Sequence, residues 1–140
     1  MFSWVNTVTK YDVVTGKSQS LPNFPRKYCC LGCTKYQGNV VAGRDKQVWM
    51  LKSGNWQPLP NLIHSRYTFQ SSDHLHHISV HISIIILNFR FNFAMAEVGG
   101  KLYVFGGDDT GSKVERLDGN KWTEVESLPA PLKNGGALIM

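Results

Sequence analysis

Cysteine is scarce and poorly placed for a covalent scaffold, since the three in the chain, Cys29, Cys30 and Cys33, fall within five positions. A secreted disulfide framework needs an even set spread along the sequence, so that class is excluded and a reducing, cytoplasmic setting is expected. Long apolar runs are also lacking. The most apolar stretch, residues 82–87, is far shorter than the ~20 residues that span a bilayer, and no membrane association is expected. Residues 1–8 show no basic segment followed by an apolar run, which argues against a secretory leader. The formal charge is +5, but Lys10, Lys17, Arg26, Lys27, Lys35, Arg44, Lys46 and Lys52 are dispersed and no stripe alternates them with stacking aromatics. Nucleic acid is therefore not an expected partner. No glycine-rich phosphate loop opens a helix and no nucleophile elbow is present. His64 and Ser65 are adjacent, but adjacency in sequence makes no triad. No catalytic residue, cofactor or metal is assigned.

What the chain does contain is an internal repeat. Hydrophobic residues make up 42% and charged residues 18%, a balance that supports an ordinary folded domain. Within it, Leu21-Pro22, Leu59-Pro60 and Leu128-Pro129 punctuate three segments. Laying the first over the second matches Gly16 with Gly54 and Gln19 with Gln57 at a constant shift of 38. The second and third copies share Leu51 and Leu117, each followed five residues later by Trp56 and Trp122. Gly38 through Gly43-Arg44 likewise corresponds to Gly100 through Gly106-Gly107.

Each copy reads as turn, apolar strand, glycine corner, loop, strand, tight turn and a strand bearing Trp. The apolar run from Lys101 to Phe105 has no polar interruption, which predicts an inner strand covered on both faces. Ser53-Gly54-Asn55 and Asp118-Gly119-Asn120 are hairpin turn sequences. Trp4, Tyr11, Trp49, Trp56, Tyr103 and Trp122 recur with the repeat, which favours core packing over an aromatic binding stripe.

The third copy, with Gly99-Gly100, the apolar strand, Gly106-Gly107, Trp122 and Leu128-Pro129, resembles the kelch repeat. The second copy resembles it with Arg44 at the second corner glycine, and the first keeps the later half of the pattern with Ser18 in place of Trp. The resemblance implies an all-β fold, a partial kelch β-propeller of about two and a half four-stranded antiparallel blades, open rather than closed. The expected division is an incomplete first blade over residues 1–28, a second over 29–66, an anomalous insertion over 67–93, and a third blade with the start of another over 94–140.

The insertion departs from the pattern. Arg26 precedes Gly38 by 12 positions and Arg66 precedes Gly100 by 34, an excess of 22. Its first part is rich in histidine, and its second alternates Ile78, Val80, Ile82, Ile84 and Ile86 before changing parity at Phe89, Phe91 and Phe93. That pattern suits two strands, or one with a bulge. Three readings stand: an insertion between blades, a strand pair used for association, and translated non-coding sequence.

His74, His76, His77 and His81 with Cys30 and Cys33 supply metal-ligand chemistry, but small buried cysteines and a polar loop explain them more simply. Asp108-Asp109 is read as a solvated loop. The resemblance implies a non-catalytic interaction module recognising a protein partner, either a substrate protein or actin. A role in a cullin-based ubiquitin ligase would run through a BTB region, for which no helical segment is seen at the N-terminal end. A copper oxidase of the galactose oxidase kind and a fragment without independent function are the other readings. Partner-facing positions are expected in loops after the glycine corner, at Arg44, Asp45, Lys46, Asp108, Asp109, Thr110 and Ser112, and between blades at Arg26, Tyr28, His64, Arg66 and Tyr67.

Overall fold

The structure, a computed structural model, describes residues 6–27, 32–66, 93–108 and 110–131. Ten strands form three antiparallel sheets, with no helix among the described residues. The first sheet pairs β1 (Val8–Tyr11) with β2 (Ser18–Leu21). The second runs β3 (Gly32–Tyr36), β4 (Asn39–Arg44), β5 (Gln47–Lys52) and β6 (Asn55–Pro58). The third runs β7 (Ala94–Val98), β8 (Lys101–Phe105), β9 (Val114–Asp118) and β10 (Lys121–Val125). Each strand pairs with its neighbour in sequence, as a meander requires, and no sheet closes on itself.

Two-residue loops set the register. Tyr36 pairs with Asn39, Lys52 with Asn55 and Val98 with Lys101, so Gln37-Gly38, Ser53-Gly54 and Gly99-Gly100 turn the chain. Both residues of each loop have positive φ, the geometry whose twist matches the flanking strands. The β1–β2 loop is longer: Asp12 Oδ1 accepts from the N–H groups of Val14 at 2.9 Å and Thr15 at 3.0 Å, holding residues 12–17 in a compact turn.

The outer strands repeat closely. Tyr11, Leu51 and Leu117 pair with Ser18, Trp56 and Trp122. Further along, the N–H groups of Phe24, Leu62 and Leu128 donate to the carbonyls of Asn6, Lys46 and Ser112 at 2.7, 2.9 and 2.8 Å. Leu128 is therefore the counterpart of Leu62, and Val125, opposite Val114, is the counterpart of Leu59 beside Val48. The third Leu-Pro pair lies three residues out of step with the second, because Trp122 to Leu128 spans six positions and Trp56 to Leu59 spans three.

The principal core lies between the second and third sheets. Tyr36, Val41, Val48 and Leu62 meet Met95, Leu102, Val104, Leu117 and Trp122. Burial of this apolar area is the main favourable term holding the sheets together. Strand β8 alternates instead of being covered twice: Leu102 and Val104 are fully buried, whereas Tyr103 and Phe105 stack half-buried on the opposite face, with centroids 5.9 Å apart. The expectation of a strand covered on both faces is corrected accordingly.

Phe93, placed by sequence at the end of the insertion, belongs to this core and is 5% exposed. Its ring lies against Gly32 and its backbone against Gly107, where an added Cβ would sit 2.5 Å from Phe93 Cβ. The corner glycine is thus required twice, by φ of +72° and by this close approach.

Each seam between sheets carries an indole latch. Trp56 Nε1 donates to the Pro22 carbonyl at 2.9 Å, and Trp122 Nε1 donates to the Pro60 carbonyl at 2.7 Å. The first seam adds Phe24, edge-on to Trp56 at 4.9 Å and to Trp49 at 6.4 Å. In the second seam, Glu115 stands where Trp49 stands in the first, two residues before the paired Leu. One seam is therefore aromatic and the other is clasped by charge.

Candidate functional site: a cleft at the blade seam

The even-numbered connections, β4–β5, β6–β7 and β8–β9, all emerge at one end of the meanders. The β4–β5 loop is only Asp45-Lys46, since Arg44 pairs with Gln47. Asp45 takes a φ of 59°, a left-handed conformation that Asp tolerates better than most residues. The β8–β9 loop runs from Gly106 to Lys113, because Phe105 pairs with Val114. Its organiser is Asp108, which is 5% exposed, so the expectation of a solvated, partner-facing side chain is corrected: the carboxylate turns inward to bond its own loop. One carboxylate oxygen accepts from the Thr110 N–H at 3.0 Å and the Thr110 hydroxyl at 2.6 Å, and the other accepts from the Lys113 N–H at 3.0 Å. Burial acts to raise the Asp108 pKa, but these hydrogen bonds and the nearby Arg66 guanidinium outweigh it and hold the carboxyl below its ordinary value.

Beneath the loop lies a buried clasp. Arg66 is fully buried, and its Nε and Nη2 both donate to Glu115, at 3.1 Å from Nε. Arg66 Nη1 donates to the carbonyls of Gly106 at 2.6 Å and Lys113 at 2.7 Å, and lies 3.5 Å from Asp108 Oδ1. The backbone of Arg66 exchanges two hydrogen bonds with Asp45, at 2.6 and 2.9 Å. Glu115, also fully buried, accepts in addition from the N–H groups of Ile63 at 2.6 Å and His64 at 3.3 Å. A buried ion pair is tolerable when its remaining donors and acceptors are engaged in this way. Arg66 therefore fixes the connection from the second sheet onto the third. The expectation that it faces a partner is corrected, because the guanidinium is inaccessible.

Above the clasp is an open cleft of about 450 Å³ lined by Lys46, Ile63, His64, Ser65, Asp108, Thr110 and Lys113. One wall comes from the second sheet and its outgoing connection, the other from the β8–β9 loop. At its rim, Glu124 on β10 meets His64 Nε2 at 2.6 Å and Lys113 Nζ at 2.6 Å. Lys113 first and His64 second hold the Glu124 carboxyl below its usual value. Lys46 is exposed and makes no ion pair among the described residues, and Ile63 is 45% exposed beside it. The cleft thus offers a free ammonium, hydroxyl groups and an apolar side chain, a mixture suited to a peptide. Among the described residues no group of His, Cys, Asp and Glu could hold a metal ion.

Compared with known families, residues 90–129 match the Kelch motif. The chain carries a kelch motif. Compared with curated proteins, it finds no match. The kelch motif covers Phe93, all four strands of the third sheet, Trp122 and Leu128, and the second sheet repeats that arrangement strand for strand. The third sheet is thus the kelch blade, and the three open antiparallel sheets together are consistent with a partial kelch propeller. Kelch repeats are in general interaction domains, and the motif suggests that class of function here. No helix among the described residues is long and apolar enough to cross a membrane.

Of the positions selected from the sequence, the kelch seam brings Lys46, His64, Asp108 and Thr110 together in the cleft. Ser112 is half-buried behind it, its hydroxyl 2.9 Å from that of Thr110. Arg44 and Asp45 immediately precede Lys46, and Arg26 is exposed on the connection leaving the first sheet. Tyr28, Tyr67 and Asp109 lie outside the described residues, as do Cys29, Cys30 and the four histidines of the insertion. Sequence reasoning missed Ile63, Ser65, Lys113 and Glu124. Extending the β8–β9 loop to its closing strand would have included Lys113. Glu124 carried no local signal, because its His64 partner is 60 residues away in sequence.

Proposed function

We propose that this chain recognises a segment of a partner protein through the cleft between its second and third blades. The observation that carries the reading is the convergence of Lys46, Ile63, His64, Ser65, Thr110 and Lys113 on one open cleft over a rigid buried clasp. A scaffold that fixes loop residues this way lowers the ordering cost of binding. The kelch motif supports the class of function. Within it, recognition of a substrate protein, with a cullin-based ligase engaged through a separate BTB region, is the preferred reading and actin the alternative. The setting proposed is the cytoplasm, to which the free Cys33 thiol is suited.

The test is affinity capture with the tagged chain beside a variant carrying Lys46→Glu, Ile63→Asp and Thr110→Ala. All three side chains line the cleft, and because the Thr110 hydroxyl also bonds Asp108, recovery is compared only once the variant shows the melting temperature of the wild type. The expected result is a partner retained by the wild type and lost from the variant. Actin in that set supports the alternative, and cullin with its adaptors supports the ligase reading. Identical recovery by both proteins would refute the cleft as the recognition site.

A further inference from the structure

The opposite end of the blades, where the β1–β2, β3–β4, β5–β6, β7–β8 and β9–β10 hairpins turn, has a different character. The bond from the Gln37 N–H to Glu97 at 3.0 Å ties the β3–β4 turn to the end of β7 and places the β3–β4 and β7–β8 hairpins side by side. Lys10, Lys17, Lys35, Lys52, Lys101 and Lys121 all lie near these turns and all are exposed. With Arg116 they make seven cations against three carboxylates, Asp12, Glu97 and Asp118, a net +4. The cleft end, by contrast, holds six cations and five carboxylates among the described residues. Nearly all of the chain's formal +5 is therefore gathered at the hairpin end.

The three outer hairpins differ in one respect. Ser53-Gly54 and Gly119-Asn120 are two-residue polar turns. The β1–β2 hairpin is longer and carries Val13 and Val14 at its tip, 84% and 90% exposed, with Tyr11 at 60%, which corrects the expectation that Tyr11 packs in the core. Asp12 braces this tip from within through the Val14 and Thr15 N–H groups, so the valines project from an ordered turn. Two adjacent branched apolar side chains held in water, flanked by Lys10 and Lys17, gain nothing for the fold.

We propose that the hairpin end docks on an anionic phospholipid surface, with Val13 and Val14 entering the headgroup–acyl boundary and the lysines contacting lipid phosphates and carboxylates. Interfacial binding of this kind sums a small buried apolar area with attraction to anionic lipid, and neither part suffices alone. An RNA or an acidic protein surface would use the lysines but would leave the valines idle.

The test is flotation of the full chain with phosphatidylcholine vesicles, with and without about 30% phosphatidylserine. Binding is expected only with the anionic vesicles and is expected to weaken as salt rises from about 0.1 to about 0.5 M. Val13→Ser with Val14→Ser is expected to lower the partition coefficient by about tenfold, and Lys10→Glu with Lys17→Glu by at least about tenfold. Unchanged tryptophan emission verifies that the exposed substitutions leave the blades folded. Equal binding to both vesicle types overturns the proposal. So does a valine double variant that binds like the wild type, or capture by polyuridylate or polyglutamate without capture by anionic vesicles.

Discussion

Replacing Arg66 with Met removes the central charge of the seam while keeping much of its volume. Glu115 is left fully buried with two backbone donors and no countercharge, and the carbonyls of Gly106 and Lys113 lose their shared donor. Breaking a buried ion pair from one side costs about 3–5 kcal/mol, against a total stability of about 5–15 kcal/mol for a folded domain. The substitution is therefore expected to remove a large fraction of the stability of the paired blades. Arg66→Lys keeps the charge but cannot present a planar fork to Glu115 and two carbonyls at once, so an intermediate loss of about 1–3 kcal/mol is expected. Urea unfolding followed by tryptophan emission reads the loss, with Trp122 buried in this seam and Trp49 and Trp56 reporting on the other. A double-mutant cycle with Glu115→Gln should give a coupling of about 1–3 kcal/mol. Loss of less than about 1 kcal/mol in Arg66→Met, or additive effects in the cycle, would refute the clasp as a significant contributor to the joining of the blades.

Trp122→Phe removes the Nε1 bond to the Pro60 carbonyl and part of a buried ring, and should cost about 1–3 kcal/mol by thermal or urea melting. Trp56→Phe, at the less buried first seam, should cost less in the same assay. Gly107→Ala forces a Cβ to 2.5 Å from Phe93 at a φ of +72° and should destabilise by at least about 1 kcal/mol, read as a fall in melting temperature. Glu124 and Asp108 have folded pKa values below their unfolded ones, so their contributions are present above the unfolded pKa and are lost as pH falls through the folded value. Melting temperature should accordingly decline on acidification below about pH 4, and Glu124→Gln should flatten part of that decline.

The fold was largely legible because its punctuation is local. Ser53-Gly54-Asn55 and Asp118-Gly119-Asn120 announce their hairpins, and the Leu51–Trp56 and Leu117–Trp122 spacings become cross-strand pairs in the structure. The Leu-Pro pairs were less reliable guides, since the third is three residues out of step and Val125 takes the structural place of Leu59. Phe93 resembled the end of an alternating insertion, and only its contact with Gly32 and Gly107 assigns it to the blade core. The cleft was legible in part. Lys46, His64, Asp108 and Thr110 follow from knowing which loops share an end of the sheet. Arg66 could not be separated from them, because its burial depends on Glu115, 49 residues distant in sequence, occupying the place where the other blade carries Trp49.

Hydrogen exchange of the full chain with and without the partner recovered by affinity capture tests the recognition cleft most directly. The cleft predicts new protection in residues 45–46, 62–66 and 106–113, with little change at the hairpin turns 37–38, 53–54 and 99–100. Protection confined to those turns, with residues 62–66 and 106–113 exchanging as in the free protein, would contradict it.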